Sequence, residues 1–252
     1  MPVLVKKYRV VPKKRAASRW SLAEKAVHLA TPLIANRVVF PKLLKRSLVN
    51  LHQNPGPCLP ISWASAYFGN RLVFSVAPLI LQQKLADDVE INGKPIWLGR
   101  YFLDGADWSG ALQKLSDLPV YREMTDVVRF ASDFRQSPSY MWMLRCIEKG
   151  RPVIRNTVAL STQELLDQYF IAYLNLLNSI RHHGLLPHSD APNYFIPAAL
   201  RPAIRKRSER NIGVAIGPDG ELLRFRHGQH RTALAQLLGL PAIPVELRMV
   251  HT

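Results

Sequence analysis

The sequence has little cysteine, few acids and no unbroken apolar run long enough to cross a bilayer. Its two cysteines, Cys58 and Cys146, exclude a disulfide scaffold and a zinc site made of cysteine alone. They read as reduced, buried thiols. The best membrane candidate, Trp63 to Leu81, is interrupted by Asn70, Arg71 and Pro78. Those breaks argue against a spanning helix and leave a pocket-lining or interfacial segment. No apolar run follows closely on the basic opening residues, so a secretory leader is not expected. The expectation is a cytoplasmic protein, with peripheral attachment to a membrane as its variant.

Acids are outnumbered, 18 Asp and Glu against 34 Lys and Arg, which leaves a net charge of +16. The excess is local. Residues 1–60 hold twelve Lys and Arg and one acid, Glu24, whereas the other 192 residues hold 22 and 17. A basic arm of this kind gathers an anionic partner, whether nucleic acid, anionic lipid or an acidic protein. Apolar residues are plentiful at 48%, enough to build a core and to exclude disorder throughout.

Three segments follow. Residues 1–60 read as a basic N-terminal arm with amphipathic helices. A short strand is expected within Val3–Val11. Leu22, Ala26, Leu29 and Leu33 recur at helical spacing. Leu43, Leu44, Leu48 and Leu51 form a second amphipathic piece, with Lys42, Lys45 and Arg46 on its other side. Such a helix lies either on an anionic membrane or against its own domain with a solvated basic face. Asn54-Pro55-Gly56-Pro57 is a strong break. Residues 61–160 read as a mostly helical extension, with a helix over Leu118–Phe134 ended by Pro138 and another over Ser139–Lys149 ended by Gly150.

Residues 161–252 are patterned more clearly. Ser161-Thr162-Gln163-Glu164 is a capping box. Leu166, Tyr169, Phe170, Tyr173, Leu174, Leu177 and Ile180 follow at helical spacing until Gly184. Ile212, Val214 and Ile216 alternate, Gly217-Pro218-Asp219-Gly220 turns, and Leu223, Phe225 and His227 return. A short helix over Thr232–Leu238 stops at Gly239, and Val245, Leu247 and Met249 alternate in a last strand.

The chemistry concentrates in His227-Gly228-Gln229-His230-Arg231-Thr232-Ala233, between a strand and a helix. Glycine permits a sharp turn. The helix then opens with unpaired N–H groups and a positive dipole end. Arg231 offers bidentate bonds to phosphate. His230 carries a proton or binds an oxygen. Gln229 stands between the turn and the helix, and Thr232 caps the helix or bonds the anion. Gly228 to Thr232 is thus a candidate phosphate cradle.

Gly228-Gln229-His230-Arg231, then Ala233, Ala235, Leu238-Gly239-Leu240 and Ile243-Pro244-Val245, resemble the ParB/sulfiredoxin-like superfamily. Upstream, Ser179-Ile180-Arg181 and Gly184-Leu185 resemble the end of that family's preceding helix. The resemblance covers about residues 160–252. It implies an α+β fold, a small mixed sheet with flanking helices, here behind a helical N-terminal extension. Sulfiredoxins place their reactive cysteine where Gln229 stands, and an amide is no nucleophile, so that activity is not expected. Partition-type members bind CTP and continue into a helix-turn-helix domain. None follows the last strand here, so a partition role is not expected either. The related free-serine kinases use this turn to hold nucleotide phosphates.

The resemblance therefore implies a nucleotide-binding protein. The leading expectation is a phosphotransferase (kinase) using ATP or ADP, or else CTP, with Mg²⁺, on a small or carbohydrate-like hydroxyl. Catalytic candidates are His230 and, as bases, Glu123 and Asp126, which lie on a mostly apolar helix; Asp190 is a weaker one. The alternative is a non-catalytic module that grips nucleic acid or an anionic membrane through residues 1–60. His182, His183 and His188 lack further ligands at metal spacing, so no structural metal is expected. Arg201, Arg205, Lys206, Arg207 and Arg210 form either a solvated loop or a clamp on phosphates. Trp97, Trp108, Trp142, Tyr140 and Tyr169 read as core.

Overall fold

Short strands from both halves of the chain build one sheet. The computed structural model describes residues 7–11, 30–31, 34, 36–155, 158–186 and 211–252. In chain order these give β1 (Arg9–Val10), α1 (Val39–Gln53), β2 (Pro57–Pro60), α2 (Ile61–Phe68), β3 (Val73–Val76), β4 (Gln83–Leu85), β5 (Asp88–Ile91), β6 (Lys94–Trp97), β7 (Tyr101–Asp104) and β8 (Leu112–Lys114). Then come α3 (Pro119–Arg129), α4 (Pro138–Glu148), β9 (Ile154–Arg155), β10 (Val158–Ala159), α5 (Gln163–His183), β11 (Ile212–Ile216), β12 (Leu222–Phe225), α6 (Gln229–Leu237) and β13 (Ile243–His251). The expected helix through Leu22, Ala26, Leu29 and Leu33 lies outside these residues, as do His188, Asp190 and the basic stretch from Arg201 to Arg210.

The main sheet runs β2-β7-β13-β11-β12-β4-β8, with β3 also on β13. β13 has two successive partners along one edge. β3 is antiparallel to it over Ile243–Glu246, and β7 is parallel to it at Val250 and His251. Its other edge runs parallel to β11, where Val214 faces Leu247 but Ala215 faces Met249. Arg248 is the extra residue of a bulge, which breaks the period of two. The alternation expected of Val245, Leu247 and Met249 therefore fails: Val245 and Met249 join different cores.

Helices α3 to α6 cover one face of this sheet around Met124, Phe170, Leu177, Val214 and Leu234, all fully buried. Burying each such side chain stabilises the fold by roughly 1.5–3 kcal/mol. The opposite face packs against Trp108 and a second sheet, β1-β5-β6. Tyr8 plugs this core with no exposed surface, and its N–H donates to the Asp107 carbonyl at 3.1 Å. Gly110 makes that approach feasible, because a Cβ there would strike the Tyr8 carbonyl. A third cluster gathers α1 and α2 around Phe40.

Several expectations change. The fold is α+β with a mixed sheet, but residues 61–160 are not a mostly helical extension. They contribute eight strands, four of them to the main sheet. Their strands are two to four residues long, too short to show a period in sequence. α3 stops at Arg129, and Pro138 begins the next helix instead of ending this one. Proline suits a first helical turn, where its missing N–H costs nothing. α1 buries Phe40 and Leu51 and packs Leu43 and Leu44 against the domain, while Leu48 and Val49 stay exposed. Lys42, Lys45 and Arg46 are exposed on it. Trp63 to Leu81 spans α2, a tight turn and β3. Among the described residues no helix is long and apolar enough to cross a membrane.

Candidate functional site

The turn between β12 and α6 is held from below. Gly228 has φ +81°, a left-handed backbone, and a Cβ there would stand 2.6 Å from Ile212 Cγ1. Only glycine meets both conditions. Arg226, at φ +61°, also adopts the left-handed region. Its guanidinium donates to the Gly99 carbonyl at 2.7 Å and lies 4.6 Å from the Trp97 ring centre. Trp97 is thus half-buried under an arginine. Arg224 points from β12 beneath the loop, fully buried, and donates to the carbonyls of Arg226 and, at 3.3 Å, His227. Burial pushes its guanidinium down to about 10, which still leaves it charged at neutral pH.

α6 opens at Gln229. The Thr232 hydroxyl donates to the Gly228 carbonyl at 3.0 Å and its side chain is fully buried. That hydroxyl therefore serves the first helical turn and does not line its mouth. His230 stacks on Tyr173, ring centres 4.3 Å apart, with Nδ1 3.5 Å from the Tyr173 hydroxyl. Its Nε2 is buried with no hydrogen-bond partner among the described residues. Burial first, then the charges of Arg155, Arg224 and Arg231, pushes the imidazole down to about 3. At neutral pH His230 is uncharged, so it donates or accepts a hydrogen bond and does not act as an acid.

The fold brings one expected carboxylate to this neighbourhood. α3 packs on α6, and Glu123 is buried between them and α5. Arg155 Nε donates to its two carboxylate oxygens at 3.0 and 3.1 Å, and Arg155 Nη2 adds a third bond. The Tyr169 hydroxyl donates to Oε2 at 2.7 Å. Tyr169 in turn packs edge-on against Tyr173, 4.8 Å between ring centres. A continuous line of polar side chains thus runs from Glu123 to His230. Burial, and then the Tyr173 and Glu123 hydroxyl and carboxylate, holds the Tyr169 hydroxyl well above its ordinary range.

Asp126 stands one turn further along α3. Its Oδ2 accepts the Ser139 N–H at 2.8 Å and caps α4. A groove of about 780 Å³ opens between α3 and α4, lined by Arg122, Glu123, Asp126, Trp142 and Arg155 among others. Trp142, expected in the core, is 50% exposed, whereas Trp108, Tyr140 and Tyr169 are buried. His182 and His183 close α5 with rings 6.3 Å apart. Among the described residues no three His, Cys, Asp or Glu side chains gather.

The motif reading missed Arg155, Arg224, Tyr173 and the exposure of Trp142. Arg224 had a readable signal, a lone arginine inside an apolar strand. Tyr169 and Tyr173 had another, two tyrosines four residues apart on one helix face. Arg155 had none, because its partner is 32 residues away. No family model, curated protein or solved structure matches the chain.

Proposed function

We propose that the chain is a ParB/sulfiredoxin-like nucleotide-binding protein, a phosphotransferase acting on a small-molecule or carbohydrate-like hydroxyl. One observation carries the reading. The left-handed Gly228 leads straight into the start of α6, with the buried Arg224 beneath the turn and Arg231 in the first turn of the helix. Arginine side chains beside a helix start favour an anion. Phosphate suits the Arg231 fork and the backbone donors of Gly228 to Arg231. His230 Nε2, which has no partner among the described residues, adds a further hydrogen-bonding group.

In the reaction, the acceptor oxygen bonds the terminal phosphorus of ATP, the bond to ADP breaks, and the hydroxyl proton passes to a base. Glu123 is engaged by Arg155 and Tyr169. Asp126 keeps Oδ1 unclaimed by any described residue, which makes it the better base of the two. The described residues do not form a cage for Mg²⁺, so no step is assigned to the ion. ADP and CTP are the alternative nucleotides in this reading.

The test is thermal melting of the full chain with ATP, ADP, CTP and GTP plus Mg²⁺, for wild type and Arg231→Ala. A ligand at a hundred times its Kd stabilises by about 2.7 kcal/mol, or roughly 5–10 °C in a domain of this size. A shift present in wild type and lost in the variant is expected. No shift with any nucleotide refutes the reading.

The exposed Lys42, Lys45 and Arg46 on α1 favour a second reading, a module that holds nucleic acid through its N-terminal segment. Phe40 and Leu51 of α1 are already buried in the domain, which leaves only part of its apolar surface, Leu48 and Val49 among it, open to lipid. Binding to a DNA or RNA oligomer should then fall steeply with salt. Binding insensitive to salt, or none, refutes it.

A further inference from the structure

The groove between α3 and α4 has its own chemistry. Its volume, about 780 Å³, lies within the ~300–1,000 Å³ of small-molecule sites. Trp142 lines it with half of its surface open. α3 contributes Arg122 and Asp126, four residues apart and therefore on one helix face. Asp126 spends Oδ2 on the α4 cap, and no described residue claims Oδ1. Among the described residues Arg122 reaches only the Asp117 carbonyl, at 3.5 Å, the outer limit of a hydrogen bond. Glu123 and Arg155 line the groove as a paired, buried carboxylate and guanidinium.

These walls select a chemistry. A lining of charged groups rejects a wholly apolar ligand. The carboxylates of Glu123 and Asp126 oppose an anion, and Arg122 and Arg155 oppose a cation. A neutral molecule fits if it has one apolar face for the indole and adjacent donors and acceptors for Asp126 and Arg122. A sugar ring has that form, with its C–H bonds on a face and its hydroxyls at the edge.

We infer that this groove binds a monosaccharide, its ring laid on Trp142 and neighbouring hydroxyls shared between Asp126 and Arg122. Binding itself needs no nucleotide. Only the sugar's role as phosphoryl acceptor rests on the function proposed above. Arg155 connects the two, since it lines the groove and its charge acts on His230.

Saturation-transfer NMR on the full chain, without nucleotide, tests this. The probes are glucose, galactose, mannose, N-acetylglucosamine, ribose and myo-inositol, with adenosine as a planar control. Each is used at about 5 mM, which mostly fills a site of ~1 mM Kd. Transfer to at least one sugar is expected, concentrated on the protons of one ring face. Trp142→Ala should weaken it about tenfold, the worth of one stacked ring. Trp142→Tyr should restore part of it, and both variants should melt as wild type does because the indole is exposed. No transfer to any sugar overturns the inference, as does transfer that survives Trp142→Ala. Transfer to adenosine alone overturns it in favour of a nucleobase. The nucleotide melting experiment is read separately through Arg231→Ala, so either result can fail without the other.

Discussion

His230 spends its neutrality at a cost in acid stability. Its imidazole drops from an ordinary 6.5 to about 3 on folding. Between those values the unfolded chain takes up a proton that the folded chain refuses. Stability from this residue is therefore complete above pH 6.5 and is lost as pH falls toward 3. A melting series over that range should fall less steeply in His230→Gln than in wild type. An identical slope in the two proteins would show that His230 titrates normally. The turn around it was legible because its parts are contiguous: glycine, histidine, arginine and helix start occupy four consecutive positions, 228 to 231. The residues that set its electrostatics were not. Arg155 and Arg224 act on it by charge from other strands, which four consecutive positions cannot show.

Between elements, the Glu123–Arg155 pair ties α3 to β9, and the Tyr169 hydroxyl ties both to α5. Side chains of this pair are only 4% and 19% exposed. Removing one partner leaves a charge buried without compensation, at a cost of about 3–5 kcal/mol. Glu123→Ala should lower the melting temperature strongly, and Glu123→Gln much less, since an amide still accepts from Tyr169. Replacing both residues by Leu and Met should recover most of the loss. A Glu123→Ala protein as stable as wild type would remove the tie. The helices were well indicated by their apolar spacing. α5 begins one residue after Thr162, whose hydroxyl accepts the Leu165 N–H at 3.2 Å. Helix ends were harder, because Pro138 punctuates a chain in either direction. Strands of three residues carry too few side chains to display a period at all.

For the whole molecule, the boundary expected near residue 160 does not divide the sheet. β12 needs β4, and β13 needs β3 and β7, all from the first part of the chain. A fragment of residues 161–252 would therefore present two bare strand edges. It should show no cooperative unfolding transition by circular dichroism, whereas the full chain should unfold in one step. Cooperative unfolding of the fragment would establish it as an independent domain. This partnership was hidden in sequence because the pairing strands lie more than a hundred residues apart.

The place of β13 has a consequence in time. A ribosome makes β3 and β7 early, and each must wait for β13, a strand that emerges well over a hundred residues later. The nascent chain leaves a long interval in which those edges have nothing to pair with. Such edges attract one another between neighbouring chains. Production of this protein should thus respond to anything that holds the unfinished polypeptide apart from its neighbours, whether slower translation, lower temperature or a chaperone at the exit tunnel.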